Sequence, residues 1–195
     1  MRVSRAQAEE NRDKVITVAS RLFREHGFDG IGLKDLMKGA GLTQGGFYKQ
    51  FASKDDLAAL ASQRALESAT MRWSTAAVNN SDPLEAVMAF YLSKDHRGEK
   101  AEGCPLVALG SDAARQSADV RRPFEEGIRA HFDILDGLMD RETGTKPSNN
   151  AMVILALMVG AVTLSRIIDD DDLSGGVLDA AATEVRRIAG SDRPA

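Results

Sequence analysis

A single cysteine, Cys104, rules out any disulfide within the chain, and such sparing use fits a protein of the reducing cytoplasm. Aromatic side chains make up only 5% of the 195 residues, with one Trp and two Tyr. Scarce aromatics beside plentiful Ala, Leu and Met disfavour a sheet and favour helices. No window carries the strict apolar–polar alternation of a half-buried strand. No basic-then-apolar leader opens the chain, so no secretory signal is read there. The long apolar run from Ala151 to Val162 falls short of the roughly 20 residues that cross a bilayer, and reads as a helix buried on most sides. His26, His96 and His131 lack metal-ligand spacing, and Asp169 to Asp172 lack the alternation of a calcium loop. No Ser-His-Asp order is legible. Neither metal, cofactor nor catalysis is expected.

What the chain does have is an uneven charge. Its net charge is −4, yet ten Lys/Arg stand against six Asp/Glu as far as Lys54, and fifteen against twenty-three beyond it. A basic leading quarter on an acidic protein suits a polyanion bound at one end only. Helical periodicity runs throughout. Val15, Val18, Ala19, Leu22 and Phe23 form one apolar stripe on a first helix from about Gln7 to His26, with Gly27 as its cap. A short second helix covers about Leu33 to Ala40, and a third runs from Thr43 or Gln44 to about Phe51. Ser53 then caps a fourth that reaches about Ala77. Five more follow at about 82–97, 105–117, 120–142, 148–168 and 175–189, with Pro83, Pro105, Pro123 and Pro147 placed at helix starts. The acids Asp169 to Asp172 read as a solvated turn. The expected architecture is all-α, about nine helices.

Two short helices around Gly41 describe a helix-turn-helix at about 32–51, whose second helix enters a DNA major groove. Leu36, Met37, Ala40, Leu42 and Phe47 would pack the pair on the first helix, and Gly41 supplies the sharp exit. Gly45-Gly46 is poor helix chemistry, and close backbone approach to DNA would compensate for it.

The residues Phe23, Gly27, Phe28, Leu33, Leu36, Ala40-Gly41-Leu42-Thr43 and then Gly46-Phe47-Tyr48-Lys49-Gln50-Phe51-Ala52-Ser53-Lys54-Asp55-Asp56-Leu57 resemble the DNA-binding domain of the tetracycline-repressor (TetR) family over about 9–69. The resemblance implies an all-helical homodimer that binds a palindromic operator and is released by a small inducer. It divides the chain into a three-helix DNA-binding domain, 1–54, and a helical ligand-binding and dimerisation domain, 55–195. Thr43, Gln44, Gly45, Tyr48 and Lys49 become the groove-facing set, with Gln44 suited to adenine and Thr43 to a base edge or thymine methyl. Tyr48, Lys49 and Lys54 become phosphate contacts, joined by Lys34 and by Arg2 and Arg5 on an N-terminal arm. Two positions depart from the family pattern. Gly32 stands where a capping Thr or Ser is usual, and Gln50 where His is frequent.

The resemblance also implies a ligand pocket, for which Met71, Trp73, Met88, Tyr91, Cys104, Leu106, Phe124, Phe132, Met139, Met152 and Leu155 are candidates. Adaptable Met with few polar groups suits an apolar or planar ligand. The helix from Asn149 to Ile168 is apolar nearly all round, so one side can face its own core and the other a second subunit. Val153, Leu157, Gly160 and Leu164 on it, with Val177, Leu178, Ala181, Val185 and Ile188 on the last helix, resemble the family's dimer interface. Cys104 precedes Pro105 at a helix start, where the dipole favours a thiolate. Three functions stay open: a ligand-released repressor, a constitutive DNA-binding protein, and a thiol sensor acting through Cys104.

Overall fold

The computed structural model describes residues 4–78, 80–139 and 146–190. Among them lie α1 (Arg5–His26), α2 (Leu33–Gly39), a 3₁₀ helix (Gln44–Lys49), α3 (Lys54–Ala77), α4 (Pro83–Tyr91), α5 (Lys94–Gly98), α6 (Pro105–Ala113), α7 (Ala118–Leu138), α8 (Asn149–Ile167) and α9 (Asp171–Gly190), and no strand. The all-α expectation holds. The chain divides into two compact units, Met1–Glu67 with Lys100–Glu125, and Ser68–Glu99 with Glu126–Ala195. These units cut the chain differently from the 1–54 and 55–195 division. The reason is packing: Leu57, Ala58, Ala61 and Leu66 of α3, with Leu109, Ala113, Val120 and Phe124, share one core with α1 and α2.

In the first unit, Ser4 caps α1 by accepting the Gln7 N–H at 3.2 Å, and Gly27 ends it with φ of 77° and its N–H on the Phe23 carbonyl. Gly41, at φ 71°, lets the Leu42 N–H return to the Met37 carbonyl at 2.9 Å, which closes α2 and turns the chain. Both glycines hold backbone that an L side chain rarely adopts. The expected third helix is a 3₁₀ turn instead, because Gly45-Gly46 gives an α-helix little support. Ser53 caps α3 as expected: its Oγ accepts the Asp56 N–H at 3.0 Å, and Asp56 accepts the Ala52 N–H at 3.0 Å.

The second unit is built on a helical hairpin. Ala151, Ile154, Leu155, Met158, Ala161, Val162 and Ser165 form the buried face of α8. Ser174, Leu178, Ala181, Val185 and Ile188 form that of α9. The two helices run antiparallel: Asn150 donates to the Ile188 carbonyl at one end, and Ser174 donates to the Ser165 carbonyl at the other. Arg166 donates to the carbonyls of His96, Arg97 and Glu99 at 2.8–3.0 Å and so satisfies the end of α5. By length and composition α8 could cross a membrane, with mean hydropathy 1.8 over its most apolar window. One face of it packs on α9 and α5, and 39% of that window is buried.

Four boundaries differ from the sequence reading. The expected helix 82–97 breaks at Leu92, because Ser93 restarts the chain by accepting the His96 N–H at 3.1 Å. The helix expected over 105–117 stops at Ala113, where the Arg115 and Gln116 N–H groups turn back to Asp112 and Ala113. Pro123 lies inside α7 rather than at a helix start. The acids after Ile168 are not merely a solvated turn: Asp170 accepts the Leu173 N–H at 2.7 Å and Asp171 and Asp172 form the first turn of α9. The expected helix end at 142 and Arg2 lie outside the described residues.

Candidate functional site

Phe47 anchors the surface that carries the chemistry. It is fully buried, stacks on Phe51 at 5.4 Å and meets Tyr48 edge-on at 5.1 Å. With one aromatic fixed inward, the 3₁₀ helix turns its other side chains out. Thr43, Gln44, Gly45 and Lys49 are exposed, and Tyr48 is 72% exposed. Thr43 makes no capping bond, so its hydroxyl is not used by the helix it precedes. Gly45 has nothing within 4 Å of where a Cβ would stand, so packing does not demand glycine there. The open space instead lets another surface approach the backbone.

Lys34 at the start of α2 and Lys49 are exposed, Lys54 at the start of α3 is half-buried, and none of the three has an ion pair among the described residues. Some arginines elsewhere on the unit are neutralised: Arg64 pairs with Asp13 at 2.6 Å and Arg21 with Glu102 at 2.5 Å. The helix-turn-helix thus carries three cations without ion pairs, the kind of group a phosphate backbone needs. Arg5 is not on a separate arm. It opens α1, exposed, and pairs with Glu9 at 3.2 Å.

Sequence reasoning missed Arg12. Its guanidinium donates to the Gln50 carbonyl at 3.4 Å and lies 5.2 Å from the Phe51 ring centre, so α1 holds the end of the 3₁₀ helix. A Gly32 cap without a side-chain bond starts α2, matching the departure noted in the sequence.

The ligand candidates divide between the two units. Cys104, Leu106 and Phe124 belong to the first unit, where Leu106 packs on the core and Phe124 meets Phe28 edge-on at 6.4 Å. Cys104 is 3% exposed at the N-cap of α6, and the carbonyl before it, Gly103, accepts from the buried Arg24 at 3.0 Å. In the second unit Trp73, Met88, Tyr91 and Leu155 are buried, Phe132 and Met139 half-buried, and Met71 and Met152 exposed.

The rings converge on two histidines that the sequence did not single out for this place. Trp73 meets His131 edge-on at 4.6 Å and Tyr91 at 5.4 Å, and Tyr91 meets His96 at 4.6 Å. Burial holds both imidazoles below their usual 6.5, and Arg166 and Arg72 lower His96 further. The folded chain therefore refuses protons that the unfolded chain takes up. Stability is fully present above about pH 6.5 and is lost as pH falls below it. Melting temperature is expected to fall between about pH 7 and pH 5; a flat profile there would contradict neutral buried histidines.

The dimer candidates separate by helix. Val153 is 52% and Leu164 55% exposed, with Leu157 and Gly160 half-buried between them and Ile167, 72% exposed, continuing the stripe. Leu178, Ala181, Val185 and Ile188 are buried within the chain against α8, and Val177 is half-buried. The reason is that α9 has one strongly apolar face, and the hairpin uses it.

Residues 15–61 match the family model of bacterial regulatory proteins, tetR family. The chain is 26% identical over 163 residues to the HTH-type transcriptional regulator LmrA of Bacillus subtilis, covering 80% of this chain and 86% of that protein. Over this segment and most of its length the chain is similar to TetR-family transcriptional regulators. It is also 24% identical to the HTH-type transcriptional repressor NemR of Escherichia coli, over 81% of this chain and 85% of NemR. The crystal structure of reduced E. coli NemR shares the fold, with a TM-score of 0.76 at 24% identity over 92% of this chain and 97% of that one. The helix-turn-helix of this chain, at Leu33–Lys49, lies within the matched segment.

Proposed function

We propose that this chain is a TetR-family regulator, a cytoplasmic repressor that binds a palindromic operator as a homodimer and is released by a small ligand held in the second unit. The observation that carries the reading is the exposed set Thr43, Gln44, Gly45, Tyr48 and Lys49, raised on a buried Phe47 and flanked by Lys34 and Lys54 without ion pairs. Gln44 reads adenine through its amide, Thr43 reaches a base edge, and the lysines hold phosphates. The reading assigns the protein no catalysis.

Two half-sites need two copies of the helix-turn-helix. The stripe Val153, Leu157, Gly160, Leu164 and Ile167, spaced by alternate fours and threes, supplies an apolar face for a second copy. Ligand binding would act by favouring a dimer whose two recognition segments no longer meet both half-sites, with α3 running from the first unit into the second. A constitutive DNA-binding protein would share all of this except release. A thiol sensor through Cys104 takes second place because the sulfur is only 3% exposed.

Salt dependence tests the DNA surface. Lys49→Ala and Lys54→Ala should each flatten the slope of log K against log salt by about 1, with affinity lowered similarly on all sequences. Gln44→Ala should instead relax sequence preference and leave the slope in place. Unchanged slopes in both lysine variants would remove these residues from the interface.

A further inference from the structure

His131 stands on α7 with no solvent exposure. Its Nδ1 lies 2.6 Å from the carbonyl oxygen of Gly127, one turn back on the same helix. A carbonyl only accepts, so Nδ1 carries the proton and donates it, and Nε2 is left with a bare lone pair. That Nε2 is buried and has no hydrogen-bond partner. Such orphans are rare because a buried acceptor gives up water without recompense. The imidazole meets the Trp73 ring at 4.6 Å and 88°, and Trp73 meets Tyr91 at 5.4 Å and 86°. Trp73 thus lies against the imidazole that carries the unused acceptor, and Tyr91 lies against Trp73.

We propose that His131 Nε2 is the polar anchor of the sensing site, and that the ligand is a neutral planar molecule presenting one hydrogen-bond donor, such as a phenolic hydroxyl. The inference rests on reading the second unit as the sensing unit. An anion would face a lone pair rather than a positive charge, and Trp73, Tyr91 and neutral His131 offer a cation no carboxylate. Aromatic neighbours favour a planar ring, which stacks on one and meets another edge-on. Its donor then fills the position at Nε2 that the protein leaves open.

Trp73 is the chain's one tryptophan, so its emission reports on this place alone. The probes are phenol and anisole, which share the ring and its oxygen, but anisole's oxygen carries a methyl group and cannot donate. On the full-length protein without DNA, phenol should change Trp73 emission saturably, and anisole should bind about tenfold more weakly or worse. His131→Phe should erase the difference between the two probes. In case that variant fails to fold, the His131 ring nitrogens are followed by NMR in the wild-type protein. Nε2 should shift on adding phenol and stay in place with anisole. Equal affinity for both probes, no saturable response to phenol, an unmoved Nε2 signal, or a water on Nε2 that phenol does not displace would each overturn the anchor. DNA binding is measured separately on the same preparation. Protein that discriminates phenol from anisole but binds no DNA refutes the regulator reading and upholds the anchor; protein that binds DNA but shows no discrimination refutes the anchor alone.

Discussion

Phe47→Ala is expected to lower the melting temperature by about 10 °C and to abolish DNA binding, while Tyr48→Ala leaves melting unchanged and weakens DNA binding alone. The two residues are neighbours in sequence and touch edge-on at 5.1 Å, yet one is fully buried and the other 72% exposed. Truncating a buried Phe removes its transfer free energy and leaves a cavity, together about 3–5 kcal/mol. A chain of this size loses roughly 2–4 °C per kcal/mol. Phe47 also joins Phe51 to the core that holds α1 and α2, so its loss frees the whole recognition segment. Tyr48 meets Phe47 edge-on but leaves most of its ring in solvent. Equal melting losses in the two variants would show that Tyr48 is structural and that the groove-facing set is misread.

Leu164→Glu is expected to raise the dimer dissociation constant by about 100-fold or more and to leave the melting of the isolated chain nearly unchanged. Leu164 is 55% exposed on the outward stripe of α8, so a carboxylate there stays hydrated in a monomer. Across a two-fold axis each copy presents the same patch, and two carboxylates would be buried near each other. Burying a charge without a partner costs several kcal/mol, and each 1.4 kcal/mol is about tenfold in affinity. Sedimentation gives the dimer constant. Val185→Glu, on the α9 face buried against α8, should unfold the hairpin instead. A Leu164→Glu protein that stays dimeric at wild-type concentrations would place the interface elsewhere.

The contrast between those helices shows what the sequence could and could not settle. An apolar run such as Ala151–Val162 announces a buried helix, but spacing alone does not say which stripe faces inward. The α9 residues Leu178, Ala181, Val185 and Ile188 look like interface material until the hairpin is seen to bury them. The helix-turn-helix was legible because its signals are local: a Gly at positive φ, a Ser cap, and the short spacing between Leu36 and Phe47. The placement of the ligand candidates was not. Cys104, Leu106 and Phe124 fall in the first unit only because distant segments share a core, and His131 gains meaning only when Trp73 and Gly127 are placed beside it. Arg12 escaped for the same reason, since its partner Gln50 is 38 residues away.

The central claim is that two copies of the Thr43–Lys49 surface read a two-fold DNA site. Selection of duplexes from a random pool by the purified full-length protein tests it most directly. The account predicts an enriched palindrome whose half-sites vanish from the selection when Gln44 is replaced by Ala. Enrichment of a single half-site, or of no sequence at all, would contradict it.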